Sequence, residues 1–537
     1  MTTSSKISFL MAALALSGCE TRDPCVGTCA TAVITVGADA DVLFPPLSQG
    51  NVSQAVAAQL FLKLADIGLG MNTVGDSGFV PKLAESWTYE DSLTLVFRLH
   101  PAARWHDGVP VSAGDVEFTF DVYLDPLVNA PAGPLLESIV SVTARDERTV
   151  SFTFSRWHAE QLYDATHHML ILPKHLLDTI PRDRMGSHPL VRAPIGSGPY
   201  RFVEWRAGES IELAADSTFF LGAPGIGRLI WRVTPDFATS LTQVVTGEAD
   251  ILEAVLGEEN VTRARGAEHL RVVEYPSGVY VYVAFNVTAA GDPDRPHPVL
   301  GDRNVRRAVV LATDRQSILQ SVLGGLGQVP GGPTTPMVRI WRDDMRQLPF
   351  DSTRAGRLLD SVGWRDSDAD GVRDRHGTPL RFDLMYPSSS QVRAQAAVIM
   401  QEQLRRVGVD VQLRVLEPNA MVDRANQGRF DAMVGAWQVD PPPGAIRQLW
   451  SSAGIPGSNY GRYASAAFDA ALQRAVNEGD PTAAQRRWEE AIGIINEDAP
   501  AMWLFTPTLV AAVAVRFHNV TIRPDLWSAT LWQWTAQ

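Results

Sequence analysis

Lysine is nearly missing from this 537-residue chain: Lys6, Lys63, Lys82 and Lys174 are the only four, and the other basic residues are arginine. We read the shortage as a composition bias, not a site. The net charge of −13 leaves no basic excess to cover phosphates, so nucleic acid is excluded as a partner. Cysteine is scarcer still. Cys19, Cys25 and Cys29 all lie near the N-terminus, so no disulfide framework can tie the chain together. The C-x₃-C spacing of Cys25 and Cys29 allows a small ring, and a zinc site there lacks its other two ligands. Beyond the first twenty residues no apolar run is long and uncharged enough to span a bilayer.

Catalytic signatures are missing too. There is no G-x-S-x-G elbow and no H-E-x-x-H, and the glycine-rich run Gly324 to Gly332 has no following Lys-Ser/Thr to make a phosphate loop. His167 and His168 are adjacent, so their side chains point in different directions and do not share a metal. No enzyme and no cofactor are indicated.

The N-terminus is informative. Lys6 precedes an apolar stretch, Ile7 to Leu16, that is too short to cross a membrane, and Leu16-Ser17-Gly18-Cys19 follows in the pattern of a bacterial lipobox. The expectation is a lipoprotein signal peptide over 1–18, lipidation at Cys19, a tether over 19–32, and a protein held to a bacterial membrane by acyl chains. The 45% hydrophobic and 20% charged composition is that of a globular protein, and 537 residues exceed one ordinary core. Two or three domains are expected.

Strand and helix patterns alternate through the rest, which reads as α/β. Leu93, Leu95, Phe97 and Leu99 alternate with Thr94, Val96 and Arg98 as a half-buried strand. The turn Trp105-His106-Asp107-Gly108 follows, and Ser112 and Asp115 stand in capping-box spacing before Val116, Phe120, Tyr123 and Leu124. A helix is predicted from about Ser53 to Leu64. Others open at Asp302 and, with Thr313 and Gln316 as a capping pair, just beyond. Gly247 and Gly408 are predicted stops, and Asp480-Pro481 a start. Asp366, Asp368, Asp370 and Gly371 copy the first half of a calcium loop, but Gly377 stands where the closing glutamate belongs and Asp374 falls at the ninth position. An acidic turn is the better reading, and no metal is expected.

Four stretches, taken together, resemble one family. They are LAESW followed by a strand, WHDG and DVEFTFD between Leu83 and Asp121; PIGSGPYRF with Trp205 and Gly208; the GEADI that begins at Gly247; and the run from Asn286 through DRNVRRA to Asp314-Arg315. They resemble the family 5, or peptide/nickel-class, extracellular solute-binding proteins of ABC transporters. The resemblance implies a type II periplasmic-binding-protein fold: two lobes, one enlarged by an extra domain, with a hinge between them. Domain I is expected to be discontinuous (33–66, 195–285 and 505–537), with domain II at 67–194 and domain III, the second lobe, at 286–504.

It also implies a role. The protein would be a monomeric receptor on the periplasmic side of the membrane, capturing peptides in the interlobe cleft and passing them to ABC permease subunits. The matching W-x-x-D of Trp437 and Asp440 would line the pocket and receive a peptide α-ammonium. No arginine can be singled out for a ligand carboxylate; Arg424, Arg429 and Arg447 are only sequence neighbours. An oligosaccharide, an opine or a metal chelate is an alternative ligand, and a lipid-anchored sensor or hydrolase an alternative role.

Overall fold

The structure is a computed structural model that describes residues 30–536. Cys19, Cys25 and Cys29, with the signal peptide and nearly all of the tether, lie outside the described residues. No helix among the described residues is long and apolar enough to cross a membrane.

In the first part of the chain the strands used below are β1 (Thr31–Val36), β2 (Ala84–Tyr89), β3 (Thr94–Leu99), β4 (Ile139–Ala144), β5 (Thr149–Phe154), β6 (Tyr200–Arg206), β7 (Ser210–Ala215), β8 (Arg228–Val233), β9 (Ile251–Leu252) and β10 (Leu270–Pro276). Then come β11 (Val279–Phe285), β12 (Arg381–Pro387), β13 (Asp410–Leu416), β14 (Ala432–Gln438) and β15 (Ala501–Ala514). β2-β3-β5-β4 form a separate four-stranded sheet. A 12-stranded sheet runs β13-β12-β14-β11-β15-β9-β1-β8-β7-β6, with β10 and the two-residue strand Gly327–Gln328 attached to β15. Two lobes share this sheet.

The lobes are joined where β15 changes partners. Its first residues pair with β11, Trp503 against Tyr282, and its last with β10, Ala514 against Leu270. β10 and β11 are themselves one chain interrupted at Ser277-Gly278. Two adjacent crossings, Ser277-Gly278 and Thr506-Pro507, therefore carry the chain between lobes. The Ser277 amide donates to the Pro507 carbonyl (3.3 Å) and the Thr506 hydroxyl to the Val279 carbonyl (2.8 Å). The sequence reading put residues up to 285 in domain I. β11 instead pairs along its whole length with β14, and Val281, Val283 and Phe285 share a buried cluster with Val305, Ala308 and Val309. Burial of that apolar face against the following helix decides which lobe β11 joins.

Two of the sequence motifs turn out to be halves of one joint. The His106 amide donates to the Gly196 carbonyl (2.8 Å), the Gly196 amide to His106 Nδ1 (3.1 Å), and His106 Nε2 lies 3.0 Å from the Gly198 carbonyl. This pattern requires the Nε2–H tautomer, and burial holds the His106 pKa down, in keeping with a neutral ring. A Cβ on Gly196 would overlap the Leu60 carbonyl oxygen. Glycine is needed there for close approach, because the end of the Asn51–Leu60 helix packs directly on this turn.

Several local signals hold. Asp115 accepts from the Ser112 amide (2.8 Å), Asp302 caps the Arg303–Ala312 helix, Asp480 caps Pro481–Asp498, and Gly247 ends its helix at φ +82°. Others shift. The second capping pair is Asp314 with the Ser317 amide (3.1 Å), not Thr313 with Gln316, since the helix begins at Arg315 and the Thr313 hydroxyl donates back to the Val309 carbonyl (2.9 Å). The first helix stops at Leu60, not Leu64, because Phe61 turns extended and Leu64 pairs its carbonyl with the Lys82 and Ala84 amides. Strand β14 runs to Gln438, so Trp437 lies within it.

The carboxylates of Asp366, Asp368 and Asp370 gather within 4.8 Å, all exposed. Asp366 and Asp370 accept from the Gly371 and Val372 amides, and Asp374 turns away to Ser367. They cap their own turn.

Candidate ligand cleft between the lobes

Asp440 follows β14 by two residues, and its place is set by the hinge. The Val439 amide donates to the Gly278 carbonyl (2.8 Å), and a Cβ on Gly278 would collide with the Gln438 amide nitrogen and press on Met337 Cε at 3.2 Å. Trp437 stands opposite Tyr280 in the ladder and is half-buried. Beneath it lies an aromatic floor. Trp450 meets Trp503 edge-on at 4.8 Å and Tyr282 at 5.4 Å, and its indole donates to the Tyr280 hydroxyl (3.1 Å). Gly435 is a glycine because the Tyr282 ring occupies the space a side chain would need, 2.7 Å from a Cβ. Such edge-to-face pairs stiffen the wall that carries Trp437 and Asp440.

The facing wall comes from the Gln161–His167 helix and its neighbours. Glu160 precedes that helix and Tyr163 stacks on His167 at 4.4 Å, the i, i+4 spacing that brings side chains together. Lys63 Nζ reaches His167 Nδ1 at 3.2 Å. Behind it a buried charge network continues: Lys63 lies 3.8 Å from Asp66, and Arg523 bridges Asp66 (2.7 Å) and Asp525 (2.6 Å). Burial lowers the Lys63 and Lys82 pKa values despite Asp66 beside them.

The two walls meet. A Cβ on Gly444 would stand 3.5 Å from Glu160 Oε2, and one on Gly479 3.2 Å from the Trp157 ring. Near the hinge a hollow of about 400 Å³ remains between Met71 and Ile522 on one side and Met337 and Arg339 on the other. The Asp440 side chain is exposed, yet protein surrounds it closely enough for desolvation to raise its pKa. Among the described residues its carboxylate has no hydrogen-bond or ion-pair partner. A partly desolvated, unpaired carboxylate is a cation acceptor.

Asp440 and Trp437 thus share one stretch of wall. Arg424, Arg429 and Arg447 are exposed. Sequence reasoning missed Arg393, half-buried beside Tyr282, whose pKa burial lowers and whose guanidinium has no hydrogen-bond or ion-pair partner among the described residues. Its signal in the sequence, one arginine early in an amphipathic helix, is indistinguishable from a surface charge. Asp107, read as a turn residue, accepts from His175 (2.7 Å) and the Val109 amide.

Residues 78–458 match the family model described as Bacterial extracellular solute-binding proteins, family 5 Middle. The chain belongs to this family. The oligopeptide-binding protein AppA of Bacillus subtilis is 28% identical over 463 residues, covering 85% of this chain and 83% of AppA. The probable D,D-dipeptide-binding periplasmic protein DdpA of Escherichia coli is 26% identical over 504 residues, 92% of each chain. The structure of AppA in complex with a nonapeptide superimposes with a TM-score of 0.71 at 26% identity, covering 94% of this chain and 99% of that one. Family 5 proteins bind solutes for ABC transporters and are not enzymes, and membership implies a periplasmic or extracellular location. The two-lobed α/β fold expected from the sequence is that of the family.

Proposed function

We propose that this family 5 protein captures peptides between its lobes and delivers them to the permease of an ABC importer. Asp440 carries the reading: an α-ammonium would give the unpaired, partly desolvated carboxylate its counter-charge and hydrogen bonds. Arg393 is the candidate partner for a peptide carboxylate, and Trp437 the apolar wall for a side chain. Ligand that touches both lobes binds the closed form alone and so shifts the population toward closure about Ser277-Gly278 and Thr506-Pro507.

The protein refolded to strip bound ligand is expected to melt at higher temperature with di-, tri- and longer peptides, since binding to the native state stabilises by mass action. N-acetylated peptides are expected to give no shift. Shifts with sugars or nickel chelates alone would remove the peptide assignment. Lipidation at Cys19 is the proposed anchor, and Cys19→Ser is expected to move the protein from membrane pellet to soluble fraction; retention in the pellet would refute it.

A further inference from the structure

Among the described residues, Asp440 and Glu160 are both carboxylates without an ion pair. Glu160, from the opposite wall, accepts a single weak bond on Oε1 from the Thr73 hydroxyl (3.3 Å), and its Oε2 faces Gly444. One turn on from Glu160 stands Tyr163, 1% exposed, whose hydroxyl has no hydrogen-bond partner among the described residues. Burial first, then Asp440, Asp525, Glu160 and Asp164, hold that hydroxyl against ionisation, which places it within electrostatic reach of four carboxylates. Two of the four are already engaged: Asp525 by Arg523, and Asp164 by His158 (2.9 Å) and the Ser138 hydroxyl (2.9 Å). Glu160 and Asp440 remain open.

Asp440 and Gly444 are four residues apart, at most about 14 Å of extended chain, and a Cβ on Gly444 would stand 3.5 Å from Glu160 Oε2, so a short stretch of chain spans from one acid to the other. A ligand ammonium on Asp440 therefore leaves Glu160 and the Tyr163 hydroxyl within reach of the ligand's first side chain. We infer that Glu160 and Tyr163 form a second cation subsite across from Asp440, and that the preferred ligands are peptides whose first residue is lysine or arginine. The inference rests on the peptide reading above and names its substrate class. An ammonium or guanidinium there would donate to Glu160 and to the orphan hydroxyl, while Asp440 holds the α-ammonium.

A pH dependence follows. Burial, then Asp164, push the Glu160 pKa up to about 7 against the opposing pull of Thr73 and His158. Glu160 is therefore largely protonated at pH 6 and ionised at pH 8. His158, beside Glu160, and Asp440 also have raised pKa values, and ionisation of Glu160 favours a cationic ligand as pH rises.

Calorimetry with Lys-Ala-Ala and its neutral isostere norleucine-Ala-Ala tests this. At pH 8 the parent is expected to bind the lysine peptide about tenfold more tightly, the scale of one charge-assisted hydrogen bond. The ratio is expected to shrink at pH 6, and to fall close to one in Glu160→Gln, whose isosteric amide keeps the fold. Tyr163→Phe is expected to lower it in part. A parent ratio of one, or an undiminished ratio in Glu160→Gln, would overturn the subsite. If norleucine-Ala-Ala still binds through Asp440 in that case, the peptide reading survives alone; if neither peptide binds, both fall.

Discussion

Asp440→Asn is expected to lower peptide affinity by about 2–5 kcal/mol, from roughly thirtyfold to several thousandfold, while leaving the free protein as stable as the parent or slightly more so. The two halves of that expectation have one cause. The side chain is exposed, yet neighbouring protein desolvates the carboxylate enough to raise its pKa, and among the described residues nothing compensates its charge. Its folded-state pKa lies above the unfolded value, so ionisation disfavours the free fold as pH rises past the unfolded value, and the penalty is complete above the folded pKa. An amide of the same shape removes that penalty together with the attraction for an α-ammonium. Calorimetry and a melting curve at pH 7 read the two effects on one sample. A variant that binds unacetylated peptides as tightly as the parent would remove Asp440 from its role. A variant that loses binding and melts well below the parent would indicate damage to the hinge contact through Val439, not loss of an anchor.

The elements that could be read from sequence are those whose cause is local. Ser112 with Asp115, Asp302, Gly247 and Asp480-Pro481 each act within four residues, so their pattern survives without tertiary context. The errors have the same root. Thr313 and Asp314 are both good caps, and the choice falls on Asp314 because the Thr313 hydroxyl is bound to the Val309 carbonyl of the preceding helix. Phe61 to Leu64 carry no stop signal; the helix ends because that run pairs with the segment after Lys82. Trp437 and Asp440 could be named because the resemblance lay in a short contiguous motif. Glu160, Tyr163 and Arg393 could not. Glu160 meets Gly444 from 284 positions away, and Tyr163 differs from any core tyrosine solely in having no partner for its hydroxyl. The glycines in the PIGSGPY turn were legible as a turn, but their reason, the contact with Leu60 and His106, is tertiary.

Arg523→Ala is expected to cost about 3–5 kcal/mol of stability, the largest effect of any single substitution considered, because it strands two acids in the interior. The Arg523 side chain is 4% exposed and serves Asp66 and Asp525 at once, with a third bond to the Ile67 carbonyl (2.7 Å). Burial alone would raise the Asp66 pKa; Lys63 and Arg523 pull it below the ordinary value. A carboxyl lowered in this way contributes stability that is present above its unfolded pKa, near 4, and lost as pH falls through the folded value. In the parent, stability should therefore decline below about pH 4. Without Arg523 the network around Asp66 keeps Lys63 and Lys82, both poorly solvated, and Asp525 loses its direct ion pair and keeps only the more distant field of Lys63. The acid dependence from Asp66 should shrink, and the melting temperature at neutral pH should drop. Ligand binding should fail with it, since Lys63 also positions His167 and, through the stacked ring, Tyr163. Denaturant unfolding at pH 7 and pH 4 checks both. A variant within 1 kcal/mol of the parent at pH 7 would mean that water reaches Asp66 and Asp525 once the guanidinium is gone, which would open the back of the cleft to solvent.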